Sequence, residues 1–207
     1  QMCIRDSHLR GLSEGRGVVV ARNEDSVSFA SNGQVVRPQL LAIVDPETRA
    51  EVPDGTVGEL WCYGANIAAG YLNRPEETEE TFHNTLVTPL AENSRASGAP
   101  ADAQWLATGD LAVIVDNEVY ITGRLKDLII IAGRNHYPQD IEYTVAHASA
   151  QIRPAAVAAF AVEGDDVEQL IILAERDLDK VEADDVDAIA AIRAAVTEAH
   201  GVVPADI

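Results

Sequence analysis

Apolar and polar positions fall into short blocks along the chain, and from Gln39 to Tyr63 they predict strand, turn and strand. Leu40-Leu41-Ala42-Ile43-Val44 runs into Asp45-Pro46-Glu47-Thr48, and Pro53-Asp54-Gly55 leads into Val57-Gly58-Glu59-Leu60-Trp61-Cys62-Tyr63. Arg74-Pro75-Glu76-Glu77-Thr78-Glu79-Glu80 predicts a solvated helix start, since proline fits the first turn and carboxylates there oppose the helix dipole. That helix is expected to end near Asn84, and residues 87–104, with Pro89, Gly98 and Pro100, to form a surface loop. Leu111 to Ile121 predicts a hairpin about Asp116-Asn117, a pair tolerant of positive φ. Its register sets Ile114 against Val119 and Ala112 against Ile121, and carries Asp110 opposite Gly123. Leu128 to Ile131 reads as a strand covered on both sides. Pro138 opens a helix with Ile141, Val145 and Ala148 at helical spacing, followed by strands over 155–162 and 169–174. A last helix from about Ala183 carries Ile189, Ile192, Val196 and Ala199 on one stripe and stops at Gly201.

The order changes near residue 125 from β-rich to β-α-β-β-α, which predicts a mixed α/β (α+β) chain of two parts, 8–125 and 126–207. Residues 1–7, Gln1-Met2-Cys3-Ile4-Arg5-Asp6-Ser7, lack the basic and apolar regions of a signal peptide and resemble translated sequencing-adapter read-through. Gly201 to Ile207 starts an extended segment and stops, so both ends are read as those of a fragment.

Composition narrows the classes. With 47% hydrophobic and 24% charged residues the chain is globular, and no apolar run approaches the ~20 residues of a bilayer helix, so no membrane span is expected. The net charge is −19, spread as −9 over residues 1–125 and −10 over the remainder, and such a surface repels phosphate backbones. Nucleic acid is not an expected partner. Cys3 and Cys62 make neither a disulfide framework nor a metal quartet, which suits a reducing cytoplasm.

The sharpest cluster is Trp105-Leu106-Ala107-Thr108-Gly109-Asp110-Leu111 followed by Tyr120-Ile121-Thr122-Gly123-Arg124-Leu125-Lys126-Asp127. Hairpin pairing brings Asp110 and Arg124 to the same open end. A carboxylate offers two acceptor oxygens to a ribose diol, and a guanidinium adds donors to the sugar or a phosphate, so together they can grip a nucleotide. The plain alternative is an ion pair at a hairpin end. Strict alternation places the two side chains on opposite faces, so convergence requires the chain to leave the ladder near Gly123.

Those residues, with Leu128-Ile129-Ile130-Ile131-Ala132-Gly133-Arg134-Asn135-His136-Tyr137-Pro138-Gln139-Asp140-Ile141-Glu142 after them, resemble the adenylate-forming superfamily of acyl-CoA synthetases, luciferases and adenylation domains. Upstream, Pro53-Asp54-Gly55-Thr56-Val57-Gly58-Glu59-Leu60 and Gly70-Tyr71-Leu72-Asn73-Arg74-Pro75-Glu76-Glu77-Thr78 resemble further landmarks of that family. The run from Gly133 to Glu142 is most similar to fatty acyl-AMP ligases, and the loop from Phe82 to Gln104 to the actinobacterial ligases of mycolic acid biosynthesis.

The resemblance implies that residues 8–125 are the C-terminal end of a large AMP-binding domain and 126–207 a small mobile domain, cut before its terminal lysine. It implies ATP and Mg²⁺ as cofactors, a fatty acid as substrate, and an acyl carrier protein or polyketide synthase as acceptor. Asp110 then holds the ribose hydroxyls, Arg124 the ribose and the phosphate side, and Lys126 is the hinge between adenylation and acyl transfer. Gly133 to Tyr137 form the acceptor loop, with Asn135 where some relatives place a phosphate-contacting arginine.

No catalytic residue is assigned within the chain, because Lys180 lies in Asp177-Leu178-Asp179-Lys180 rather than the family's terminal Gly-Lys setting, and no phosphate-cradling Gly-Ser/Thr loop occurs. The piece alone is therefore expected to be inactive. No metal ligands are assigned: His136 has no second ligand at suitable spacing and reads as helix entry. Trp61, Tyr63 and Trp105 read as packing, and Tyr120 either borders adenine or packs against Val113. Two alternatives remain, a long-chain fatty acyl-CoA ligase and a non-catalytic nucleotide-binding module.

Overall fold

The alternating segments assemble as antiparallel ladders. The computed structural model describes residues 4–21, 26–164, 168–177, 179 and 185–207. The chain divides into two units, Gln1–Lys126 and Asp127–Ile207.

In the first unit, β1 (Ile4–His8), β2 (Val19–Val20) and β3 (Ser26–Ala30) form a sheet in the order β2-β1-β3, with α1 (Leu9–Ser13) after β1. β1 is mostly polar, β2 is only two residues long, and the alternation of β3, Ser26-Val27-Ser28-Phe29, is short. Residues 4–7, set apart in the sequence as adapter-like, pair within this sheet, from Ile4 against Ala30 to Ser7 against Val27. The main sheet has the order β4-β5-β6-β7, from β4 (Leu40–Val44), β5 (Gly58–Tyr63), β6 (Leu106–Val115) and β7 (Glu118–Arg124). Side chains of one face, Ala42, Val44 and Trp61, pack with Trp105 and with Ala96 and Ala103 of the long loop. On the other face Ile43, Ala112, Ile114 and Val119 cluster.

The loop over 87–104 is held by one buried carboxylate. Glu51 accepts hydrogen bonds from the Leu90 N–H (3.0 Å), the Ser94 hydroxyl (2.6 Å) and the Arg95 N–H (2.6 Å). A buried acid is tolerable only with its lone pairs so occupied. Helix α2 (Pro75–Phe82) stops two residues before the expected Asn84, because Asn84 exchanges backbone hydrogen bonds with Trp105 at 3.1 and 2.8 Å.

The second unit contains β8 (Ile129–Ile131), β9 (Arg134–His136), α3 (Pro138–Ala148), β10 (Ile152–Glu163), β11 (Glu168–Arg176) and α4 (Asp185–His200). The order is β-β-α-β-β-α, so the expected β-α-β-β-α lacked a strand: His136 lies in β9 and not in the helix entry. Ala132 and Gly133, with φ 52° and 72°, make the tight β8–β9 turn that folds the chain back before Pro138. Nor is β8 covered on both sides, because Ile129 is buried while Ile130 is half exposed, as a two-stranded hairpin strand must be.

Ile129, Ile141, Val145, Ile172, Ile192 and Val196 form this unit's core. On α4 only Ile192 and Val196 of the expected stripe are buried; Ile189 and Ala199 face solvent. Residues 183 and 184 of that expected helix, and Lys180, lie outside the described residues. At the far end, the Ala205 N–H bonds the Leu170 carbonyl (2.8 Å) and the Ile172 N–H the Asp206 carbonyl (3.1 Å), a parallel pairing onto β11.

Candidate functional site

The site is built where two ladders of the main sheet lose their regularity. Glu59 pairs with Leu111 and Trp61 with Ala107, so Leu60 alone on β5 faces Thr108, Gly109 and Asp110 on β6. The three residues arch out of the ladder. Gly109 carries the arch with φ +74°, a left-handed conformation that a side chain would strain. The arch is pinned by polar groups. The Thr108 hydroxyl donates to the Leu60 carbonyl (2.8 Å) and accepts from the Asp110 N–H (3.1 Å). The Gly109 N–H donates to Glu59 Oε1 (2.9 Å), while Glu59 Oε2 accepts from Trp61 Nε1 (2.9 Å).

A second irregularity lies on the other side of β6. Ala112 faces Ile121 but Leu111 faces Gly123, which leaves Thr122 as an extra residue on β7. Such a bulge shifts everything beyond it by one position and turns side chains to the other face. Asp110 therefore stands opposite Arg124, not opposite Gly123 as the regular register predicts. The same shift removes the alternation conflict, and Asp110 Oδ1 lies 3.4 Å from Arg124 Nε.

Both side chains are open to solvent, Asp110 at 37% and Arg124 at 72% relative exposure, so their attraction adds only about 0.2–1 kcal/mol. The pair is available for recognition rather than spent on stability: Oδ1 and Nε meet, leaving Oδ2 and the two Nη groups for a ligand with hydroxyls or negative charge. Burial and the Asp110 charge push the Cys62 thiol up to about 11. Cys62 therefore stays a thiol near neutral pH and is unsuited to act as a nucleophile.

The aromatic residues are accounted for by packing. Trp61, Trp105 and Tyr120 are each 2% exposed, and Tyr63 leans on Trp105 with ring centroids 5.5 Å apart. Tyr120 faces Val113 across the ladder, which favours the packing alternative over an adenine border. The Gly70–Thr78 segment is a structural turn, in which Thr78 Oγ1 accepts the Tyr71 N–H (2.9 Å) and donates to the Arg74 carbonyl (2.6 Å).

Lys126 is exposed in the 3-10 turn Leu125–Asp127 that follows β7. In the second unit Gly133 is exposed in its turn, and Asn135, half buried, faces Ile130. Beneath them His136 is buried, and burial with the nearby Arg134 charge lowers its pKa. His200, whose Nε2 lies 2.8 Å from Thr144 Oγ1, is pushed down to about 4 by burial and by His136. Burial pushes Asp140 up to about 6. No group of three His, Cys, Asp or Glu side chains among the described residues could hold a metal ion.

Two residues of the site escaped sequence reasoning, Glu59 and Thr122. For Glu59 the signal was an acid among apolar neighbours in a strand; for Thr122, a register extension that carried no marker of its bulge.

Residues 3–72 match the family described as AMP-binding enzyme. The chain is 42% identical to long-chain-fatty-acid–AMP ligase FadD32 of Mycolicibacterium smegmatis over 217 residues, covering 95% of this chain and 34% of that protein. It is 42% identical over 164 residues to 4-hydroxyphenylalkanoate adenylyltransferase of Mycobacterium tuberculosis (79% of this chain, 25% of the relative). A protein of the same organism carrying the name fatty-acid–CoA ligase FadD21 is 44% identical over 172 residues (81% and 28%). Among solved structures, one from work on fatty acyl-adenylate ligases of E. coli and L. pneumophila superposes with a TM-score of 0.74 at 25% identity, over 99% of this chain and 33% of that one. The chain thus spans a quarter to a third of the length of these curated relatives.

Proposed function

Because the chain is a relative of the AMP-binding, adenylate-forming enzymes, we propose that it supplies the nucleotide clasp and the mobile C-terminal unit of a fatty acyl-AMP ligase. The observation that carries this reading is the bulged register that sets Asp110 opposite Arg124 at the open end of β6 and β7. The Asp110 carboxylate accepts hydrogen bonds from the ribose hydroxyls of ATP and then of acyl-AMP. Arg124 donates to the ribose and toward the phosphate. With the nucleotide so held, a fatty carboxylate oxygen attacks the α-phosphorus and pyrophosphate leaves. Positioning and fixed charge supply the rate. Mg²⁺, when bound, would screen the charge of the triphosphate and of the departing pyrophosphate.

Lys126, exposed after β7, is the torsional hinge between the two half-reactions. Residues 134–136 form β9 and His136 and Tyr137 are buried, so the expected acceptor loop reduces to the exposed β8–β9 turn at Gly133. In the second half-reaction this turn, with Asn135 beside it, meets an incoming phosphopantetheine. Its thiol sulfur bonds to the acyl carbon, the thiol proton is lost, and AMP departs with the electrons of the broken bond. The acceptor in this reading is an acyl carrier protein of a polyketide synthase; the relatives named as fatty-acid–AMP ligases support the acyl-AMP step that precedes it. The cytoplasm fits a chain whose described cysteine, Cys62, is a free thiol. No described helix is long and apolar enough to cross a membrane.

The test is Asp110→Ala in the full-length ligase. Acyl-AMP formation should fall by about 100-fold or more; near-normal pyrophosphate release would count against the reading. A second reading, a fatty acyl-CoA ligase, is favoured by the relative carrying that name. Offering coenzyme A and a carrier protein in parallel to the full-length protein, and weighing the products, separates the two.

A further inference from the structure

The arch that presents Asp110 needs an explanation of its own. Two extra residues in β6 raise the backbone cost of this segment, and the Gly109 N–H, removed from the ladder, requires another acceptor. The acceptor is Glu59, a carboxylate only 7% exposed whose partners, the Gly109 N–H and Trp61 Nε1–H, are both neutral donors. Burying a carboxyl group is costly unless its oxygens are hydrogen-bonded, and a residue placed there for stability alone would be apolar. The position calls for two acceptor oxygens and no donor: one oxygen for a strand-borne indole whose ring is locked in the core, one for the arch. Trp61 is 2% exposed and belongs to one core cluster with Ala42, Val44 and Trp105, so it is a fixed anchor. Through Glu59 that anchor fixes Gly109, and Gly109 is covalently next to Asp110.

We propose that Glu59 is the positioning residue of the nucleotide clasp, tying the Gly109 amide to Trp61 so that the arch holds Asp110 beside Arg124. This rests on the nucleotide-binding reading of Asp110 and Arg124. Glu59 itself touches no nucleotide; its effect reaches the ligand through the backbone of the arch.

The chemistry dictates the test. Glutamine has one acceptor oxygen, and its amide must face either the indole N–H or the Gly109 N–H, donor against donor. In the full-length ligase, Glu59→Gln should raise KM for ATP about tenfold, the worth of one charge-assisted hydrogen bond, with a smaller change in KM for the fatty acid. Deuterium uptake should rise in the peptide over 106–111 and stay unchanged in that over 40–44. Replacing Trp61 by phenylalanine in the Glu59→Gln background removes one donor, freeing the single oxygen for Gly109, and should recover most of the ATP KM.

An unchanged ATP KM in Glu59→Gln, or unchanged uptake over 106–111, overturns the proposal, as does failure of the double variant to recover in a protein whose melting curve shows it folded. Should the double variant not fold, the single variant's KM and uptake decide alone. Asp110→Ala run alongside distinguishes the failures. If Asp110→Ala leaves ATP KM intact, the nucleotide reading is at fault; if it raises KM while Glu59→Gln does not, the positioning role is.

Discussion

The hairpin of β6 and β7 and the hairpin of β8 and β9 carry their candidate residues in opposite places. In the first, the turn at Asp116 and Asn117 is regular, with φ 50° and 66°, and the ladder beyond it is regular as far as Ala112 and Ile121. Asp110 and Arg124 sit at the other end, beyond the Thr122 bulge, with Asp110 itself part of the arch in β6. In the second, three pairs form without a bulge, and the exposed Gly133 belongs to the turn itself. The groups beneath them differ as well: Glu59 offers acceptor oxygens to two fixed donors, whereas burial holds His136 toward its neutral form. A ladder interrupted by buried polar bonds can aim side chains that alternation would separate. A tight turn presents backbone at a surface instead.

The sharpest way to break the comparison is to damage the regular part of the first hairpin. Ile114→Ala removes a side chain 3% exposed in the core, and should cost about 2–5 kcal/mol in chemical denaturation of the chain while leaving the ATP KM of the full-length ligase near its starting value. A KM change as large as that of Asp110→Ala would show that the regular and bulged halves are not separable.

Acid should act on the second unit. With His200 pushed from 6.5 down to about 4, the unfolded chain takes up the proton first, so stability is full above about pH 6.5 and falls as pH drops toward about 4. Asp140, raised from 3.8 to about 6, acts oppositely: its burial opposes folding most above pH 6, and that penalty is relieved on acidification. In urea melts of the chain from pH 7 to 4.5, Asp140→Asn should steepen the acid loss and His200→Gln should flatten it. Parallel curves for both variants would refute the assignment.

The smallest expected effects sharpen the comparison most. Gly109 and Gly133 both have positive φ, +74° and +72°, and a Cβ at either meets nothing within 4 Å. Alanine at either should therefore cost about 1–2 kcal/mol, from backbone strain alone. Their kinetic signatures should part: Gly109→Ala weakens ATP use in adenylation, and Gly133→Ala slows acyl transfer to carrier protein. Equal effects of both on one half-reaction would erase the distinction between the hairpins.

Much of this arrangement is legible along the chain. The blocks at 40–44 and 57–63, the Asp116-Asn117 turn with its pairs Ile114–Val119 and Ala112–Ile121, and the helix opened by Pro138 all follow from local apolar period and turn chemistry. The family motifs marked Asp110, Arg124, Lys126 and the segment from Gly133 as well. Less legible were the strands over 4–30, of which β1 is mostly polar, β2 only two residues long and β3 a single short alternation, and β9, whose Arg134-Asn135-His136 resembles a loop by composition. Helix α4 misled in another way, since its apolar stripe is wider than the face its neighbours cover.

What the sequence determined by itself is therefore whatever depends on neighbours within a few positions: element type, the two-residue turn, much of the periodic core face, and an acid and a base at one end of a hairpin. Tertiary structure alone decided the pairing of Asp110 with Arg124. That register depends on Thr122 leaving its ladder and on Glu59 meeting Gly109 across 50 positions and Trp61 on its own strand. A bulge is stabilised by hydrogen bonds between distant segments, and until those segments meet no local preference distinguishes the bulged register from the straight one.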